Sequence, residues 1–244
     1  EDIVGMPKEI VEWGKKSDKK VIVMQHGRGA TRDYCPPNSF PLIADTIMVW
    51  GKVDKDRLLK AGISPEKIIV TGTTIFNHLK PRFINQTPTI TFAPIRWNSK
   101  VSENGLVANR IWKYCQDKGY RMLTKNVVSS VAEEFPNTKW SNNYEPDHID
   151  KCVEVLRETD LVVGIDNGTF ELLAMAMNIP VIWCDIHNPT VAINGNKPIE
   201  KTNPLGTYHI LDINNLEGTI NCALANSTEM NFDRKQIAKL DGGF

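Results

Sequence analysis

The sequence predicts an α/β protein built on parallel β-sheets, arranged as two successive units. Three observations lead there. Short apolar runs alternate with segments of helical period along the chain, the mark of strands joined by crossover helices. The alternation stops once, at "KPRFINQTP" (Lys80–Pro88), and then restarts. And the stretch "DLVVGIDNGTFELLAMAMNIPVIW" (Asp160–Trp183) reads as strand, small polar turn, apolar helix and second strand.

The chain opens in a helix, "MPKEIVEWGKK", that leads straight to a strand at Val21–Gln25. A second strand follows at Thr46–Trp50. Val53–Ala61 is a short charged helix ended by Gly62, and Ser64-Pro65-Glu66 is a turn. Lys67–Thr71 is the third strand, closed by Gly72. Lys80–Pro88 holds two prolines and no periodicity, so it is expected to be a linker. The domains are then 1–84 and 85–244. Beyond the linker come a strand at Thr89–Ala93 and a helix at Gly105–Lys118, with Ile111, Trp112 and Cys115 on one side. A strand at Tyr120–Thr124 precedes helices at Val127–Phe135 and Pro146–Thr159. The last of these sets Ile149, Cys152, Val153 and Leu156 at core spacing. Strands at Leu161–Ile165 and Val181–Trp183 flank the apolar helix. A final strand at Thr207–Leu211 and helices at Leu216–Ala225 and Asp233–Leu240 complete the pattern. Three strands barely make an independent sheet. With the abrupt start, this suggests that the first segment is the latter part of a larger domain.

The 244 residues are 41% hydrophobic and 24% charged, ordinary globular values. Twenty-nine basic residues balance twenty-nine acidic ones, so no nucleic-acid partner is expected. No apolar run reaches the roughly 18 residues of a membrane span. Five cysteines (Cys35, Cys115, Cys152, Cys184, Cys222) are scattered singly. That reads as reduced, mostly buried thiols in a cytoplasmic protein.

Asp166-Asn167-Gly168-Thr169 empties a buried strand into a buried helix. A helix N-terminus exposes backbone N–H groups and about half a positive charge. Gly168 lets a ligand approach the backbone. Asn167 and Thr169 cap the helix or donate to an anion. In an open parallel sheet ligands bind at the carboxyl ends of the strands, so a nucleotide's phosphates are the natural guest. Glu171, one turn in, is placed to reach a ribose or base, or else favours the helix dipole. A plain helix start would carry the same residues, but a purely structural surface helix would show a charged face, and "LLAMAMNIPVI" shows none.

"DNGTFELLAMAMNIPVI" resembles the donor-binding motif in the C-terminal domain of glycosyltransferase-B enzymes, and in particular the CDP-glycerol glycerophosphotransferase group. There the pattern is Asp-Tyr-Ser-Ser, an apolar helix, then Pro-Ile-Ile. Gly168 and Thr169 fall on the two serines, which in that family contact donor phosphate. "ITFAPIRW" (Ile90–Trp97) resembles the family's "ILYAPTWR", and "MQHGRG" (Met24–Gly29) its His-Gly motif. The family's second histidine, in a Lys-x-His-Pro motif, has no counterpart in "MLTKNVVSS". "ADTIMVWGKVDKDRLLKAGISPEKIIVTGTTIFN" is similar to the non-hydrolysing UDP-GlcNAc 2-epimerases, which share the fold. The resemblance covers nearly the whole chain. It implies two Rossmann-like domains facing a cleft, the N-terminal one on the acceptor side and incomplete, the C-terminal one binding the donor.

The resemblance makes His26 the candidate general base, a task suited to an imidazole near neutral pH. A strand-end histidine bonded to backbone is the alternative. Arg28 and Arg32 would contact phosphate or carboxylate in the acceptor cleft. Arg96, beyond the strand Thr89–Ala93, would neutralise the diphosphate, and Lys125 would hold a similar position after Tyr120–Thr124. Asp185 and His187 are too few for a metal site, and none is assigned. Trp50, Trp97 and Trp183 end strands, to stack on a ligand or, more commonly, to pack in the core.

The expected function is transfer of a glycosyl or alditol-phosphate group from a CDP- or UDP-linked donor to a glycan or lipid-linked hydroxyl. No tightly bound cofactor is expected. Localisation would be cytoplasmic, compatible with peripheral attachment to the inner membrane face and with a homo-oligomer. The alternatives are an epimerase acting on UDP-GlcNAc and a non-catalytic nucleotide-sugar-binding protein.

Overall fold

The computed structural model describes residues 6–25, 43–94, 103–126, 138–140, 147–165, 168–184, 207–210 and 212–226. They form two units, one holding the described residues up to Thr74, the other those from Ile75. Both are α/β with wholly parallel sheets, the fold class the sequence predicts.

In the first unit α1 (Met6–Lys16) leads to a sheet of β1 (Ile22–Met24), β2 (Thr46–Val49) and β3 (Ile68–Val70) in that order. Between β2 and β3 lies α2 (Lys52–Lys60). Val23, Ile47 and Ile68 share one register row. This row faces a core that includes Val11 of α1, Leu58 of α2 and Ile63. Side chains alternate across a strand, so Met24, Met48 and Ile69 share the opposite row.

The end of β1 is fastened by one side chain. Gln25 is buried, its Nε2 donates to Asp54 Oδ2 at 2.8 Å, and its Oε1 accepts from the Trp50 backbone N–H at 2.8 Å. The Trp50 indole N–H donates to the Gln25 carbonyl at 3.1 Å. Trp50 is therefore a packing residue, 7% exposed.

The second unit carries β4 (Thr89–Ala93), α3 (Glu103–Lys118), β5 (Arg121–Asn126), β6 (Thr138–Trp140), α4 (His148–Arg157), β7 (Leu161–Gly164), α5 (Thr169–Ala176), β8 (Val181–Cys184), β9 (Tyr208–Ile210) and α6 (Leu216–Ala225). Its six strands run in the order β6-β5-β4-β7-β8-β9. Ile90, Phe92, Leu161, Val163, Ile182, Cys184 and Ile210 face a core shared with α3 and α6. The alternate residues face the other way. Thr91 meets Thr159 at the end of α4 (Oγ1–Oγ1 2.6 Å), and a Cβ on Gly164 would touch Glu171 of α5. Helices thus cover both faces, α3 and α6 on one, α4 and α5 on the other.

Element bounds match the expectations to within a few residues. β6 is an addition, giving six described strands where five were expected. The expected helices Val127–Phe135 and Asp233–Leu240 lie outside the described residues. The segment expected as a linker lies within the second unit and is bound to it. The Asp160 carboxylate accepts from Arg82 (2.9 Å), Asn85 (2.8 Å) and the Thr89 backbone N–H (2.9 Å). Arg157 donates to the Pro81 carbonyl at 3.0 Å and stacks 4.1 Å from the Phe83 ring.

Cys115, Cys152 and Cys184 are buried and Cys222 is exposed, all outside any disulfide; Cys35 lies outside the described residues. Burial pushes the Cys115 thiol up to about 12 and raises Cys184 as well, so both stay protonated and inert at neutral pH. No helix among the described residues is long and apolar enough to cross a membrane.

Candidate functional site

The strand order fixes where a ligand would sit. From β4 the chain moves through α3 to β5 and on toward β6; from β7 it moves through α5 to β8 in the opposite direction. β4 and β7 are neighbours (Ile90↔Leu161 to Ala93↔Gly164). The pair is therefore the topological switch point, and the crevice beyond its carboxyl ends is where open α/β sheets bind ligands. Arg96 lies outside the described residues, two positions past Pro94, which follows β4. Beyond β7 the chain reaches Gly168, the N-cap residue of α5.

The start of α5 is braced from within. Gly168 is extended (φ −97°, ψ −169°) at the N-cap. Having no side chain, it makes no cap bond of its own; the bond comes from the other direction. Glu171 Oε2 accepts from the Gly168 backbone N–H at 2.9 Å, and Glu171 is 3% exposed. The carboxylate lies against β7: a Cβ on Gly164 would come within 2.4 Å of Glu171 Oε1. Only glycine admits this placement. Ile165, where the turn leaves β7, is held through its carbonyl by the Trp183 indole N–H at 3.1 Å. Trp183 is thus a buried brace, not an exposed stacking surface.

Lys125, near the carboxyl end of β5, reaches the same place. Its Nζ lies 4.9 Å from the centroid of the Phe170 ring, in the first turn of α5. A cation over an aromatic face is held by the ring quadrupole, by roughly 0.5–1 kcal/mol where exposed. The first-turn amides of α5 point out along the helix axis at the same edge. Lys125 therefore stands beside the first turn of α5.

Of the residues singled out in the sequence, the structure brings together Lys125, Gly168, Thr169 and Glu171. Their parts differ. Gly168 and Thr169 form the helix mouth and are partly exposed. Glu171 turns inward and is taken up by the Gly168 amide, so in this geometry it braces the turn and offers no carboxylate to a ribose. His26, Arg28, Arg32, Arg96 and Asn167 lie outside the described residues. Among the described residues no group of three or more His, Cys, Asp or Glu side chains is placed to hold a metal ion. Sequence reasoning missed Gly164 and Gln25. A glycine ending an apolar strand before an acidic first helical turn was the available signal for the former. The latter gave none, because its partners Trp50 and Asp54 come from distant positions.

No family model matches this sequence, and no curated protein matches it. Solved structures do match in fold. The UDP-GlcNAc 2-epimerase from Neisseria meningitidis, bound to UDP-GlcNAc, is 11% identical with a TM-score of 0.62, covering 95% of this chain and 70% of that one. Anabaena HepE, in complex with UDP and glucose, is 9% identical with a TM-score of 0.55 over 95% of this chain and 70% of that one. The wall teichoic acid polymerase TagF is 12% identical with a TM-score of 0.53, over 82% of this chain and 54% of that one. The chain thus spans about half the length of the polymerase it matches. The fold is of the glycosyltransferase-B type.

Proposed function

We propose that this chain belongs to a transferase that moves a glycosyl or alditol-phosphate group from a nucleotide-activated donor to a hydroxyl acceptor, in the synthesis of a surface polysaccharide or glycoconjugate. One observation carries the reading: the α5 mouth and the Lys125 ammonium meet at the carboxyl edge, beside the switch point of a six-stranded parallel sheet. Proteins of similar fold hold UDP with glucose, or UDP-GlcNAc, which supports a pyrimidine-nucleotide donor.

The chemistry is a direct displacement. An oxygen lone pair of the acceptor forms the new bond, and its proton passes to a base, the part given to His26. For a glycosyl donor the sugar C–O bond to the diphosphate breaks and the nucleoside diphosphate leaves. For a CDP-alditol the bridging P–O bond breaks and CMP leaves. Negative charge grows on the departing phosphate. The amides of Thr169 and Phe170, with Lys125 and Arg96, would stabilise it, and removing one preorganised donor from such a site costs about 3–4 kcal/mol. Asn167 would assist, and Arg28 and Arg32 would lie on the acceptor side.

The test uses UDP-GlcNAc, UDP-glucose and CDP-glycerol with a glycan acceptor, following nucleotide release. Lys125→Ala is expected to weaken nucleotide binding about tenfold or more, the usual worth of a charged hydrogen bond. Equal affinity in that variant would remove the site. His26→Ala should abolish turnover while sparing binding. Sugar interconversion without nucleotide release would instead identify the epimerase reading, and binding without any product the non-catalytic one.

A further inference from the structure

The amino edge of the first unit's sheet is basic, although the chain as a whole carries no formal net charge. α1 leads into β1 and α2 leads toward β3, so the last turns of both helices lie at that edge. Lys15 and Lys16 close α1, Lys19 and Lys20 carry the turn into β1, Lys60 closes α2, and Lys67 directly precedes β3. The acids described there are Asp18, Asp45 and Glu66. Asp45 is taken up by its surroundings: its carboxylate accepts from the Lys15 ammonium and, at 2.9 Å, from the Val21 backbone N–H. Lys67 Nζ reaches the Ala44 carbonyl, one residue away, at 3.5 Å. The Lys15 ammonium, the Val21 N–H and then the Lys67 charge hold Asp45 below the usual carboxylate range. Lys16, Lys19, Lys20 and Lys60 are exposed.

A basic turn after a helix is ordinarily a solvated face that offsets the helix dipole. That accounts for the lysines but not for the apolar side chains beside them. Trp13 is 68% exposed and Ile10 60%. They stand three apart on α1, hence side by side on its surface, while Val11 and Gly14 take the buried side. Lys16 lies three residues beyond Trp13 on the same helix, and the Lys19 backbone N–H donates to the Gly14 carbonyl at 2.9 Å. An exposed indole, an exposed isoleucine and exposed ammonium groups therefore share one end of one helix. Glu9, an exposed acid of α1, lies in its first turn, away from the basic end.

We propose that this face docks on an anionic phospholipid surface. Trp13 and Ile10 enter the boundary between headgroups and acyl chains, where the indole's apolar body and its N–H both find partners. Lys16, Lys19 and Lys20 stay at headgroup level, their stems along the apolar boundary and their ammonium groups on lipid phosphates. The carboxyl ends of β1 to β3, the edge at which open parallel sheets bind ligands, then face away from the lipid. This inference stands independently of the nucleotide-donor reading.

Co-sedimentation of the full chain with vesicles tests it, one set of phosphatidylcholine alone and one containing about a third phosphatidylglycerol. The wild type should bind the second and not the first, and added salt should release it. Lys16→Gln, Lys19→Gln and Lys20→Gln together should weaken partition about a hundredfold, roughly fivefold for each lysine. Trp13→Ala should weaken it about tenfold through lost apolar burial, and Trp13→Phe should keep most of it. These side chains are exposed, so the variants should keep the wild-type circular dichroism. Partition unaltered in the lysine variant or in Trp13→Ala overturns the proposal. So does equal binding to both vesicles, or no binding to the anionic ones at low salt. Should a variant not fold, brominated phosphatidylglycerol should quench the tryptophan fluorescence of the wild type, and an unquenched signal overturns the proposal equally. A wild type that ignores both vesicles and self-associates, with Trp13→Ala monomeric, overturns it and makes this face a contact between copies.

Discussion

A carboxylate tucked under a helix start is useful only while something leaves room for it, and Gly164 does. Its missing Cβ would otherwise stand 2.4 Å from Glu171 Oε1 and 3.1 Å from Cδ and Cγ. Gly164→Ala forces the Glu171 side chain to shift, an overpacking cost of about 1–3 kcal/mol. Glu171→Ala loses the cap alone, about 1 kcal/mol by analogy with other caps. In the double variant the new methyl occupies the space the carboxylate has vacated. The double variant is therefore expected to be more stable than the sum of the two losses, by about 0.5–3 kcal/mol in a denaturation cycle. Strict additivity would mean the two residues do not share that space. Asp45 gives a pH signature in the first unit. The Lys15 ammonium bonded to it, and then the Val21 backbone N–H, hold its carboxyl below the usual carboxylate range. A folded-state pKa below the unfolded one means stability that is present at neutral pH and lost as pH falls below about 4. Asp45→Asn should flatten that acid limb in unfolding curves measured from pH 5 to pH 3. The Gly164–Glu171 pairing is local enough to be sought in sequence; the Asp45 tie to Lys15 is not, because it joins positions thirty residues apart.

Several helix ends in this protein repeat one solution. After α2, Gly62 N–H bonds the Leu59 carbonyl and Ile63 N–H the Leu58 carbonyl; after α3, Gly119 and Tyr120 do the same to Gln116 and Cys115. Both glycines have positive φ, as this six-to-one, five-to-two closure requires. After α5 the left-handed place is filled by Asn178 (φ 60°), with Asn178 and Ile179 bonding Met175 and Ala174. Asn tolerates this conformation less well than Gly. Asn178→Gly should thus raise stability by up to about 1 kcal/mol in thermal or chemical denaturation, and a loss would show that the contacts of Asn178 outweigh the backbone gain. Strands and helices such as β4, α3 and α6 were legible because apolar period and end signals agree within a short window. β6 was not: "TKW" has no apolar run, and only its ladder with Thr124, Lys125 and Asn126 makes it a strand. Lys80–Pro88 misled for the opposite reason. Its prolines and polar residues suit a linker, yet they also suit a strap whose hydrogen bonds go to Glu158 and Asp160, seventy residues away.

At the scale of the molecule, the proposed anion site could be assigned to a strand end from sequence, but not to a switch point. Strand order is a non-local property, and nothing near Thr89 or Leu161 declares that those strands are neighbours. The same holds for Lys125 over Phe170, where each residue is unremarkable in its own window. The division into two units has a thermodynamic consequence. The first unit's described sheet has three strands, and Ile22, Met24, Ile69 and Val70 stay between 42% and 68% exposed. The second has six strands covered on both faces and a core that runs from Ile90 to Ala223. Stability rises with the apolar area a sheet can bury, so the first unit should unfold first, giving two calorimetric transitions. Every described residue of the proposed anion site belongs to the second unit. A ligand that binds only the folded state adds about 2.7 kcal/mol at a hundredfold excess over its Kd. UDP or CDP should therefore raise the upper transition and leave the lower one in place. A single transition would show that the units unfold together despite their separate cores. Movement of the lower transition alone would place the nucleotide in the other unit and displace the α5 mouth as its site.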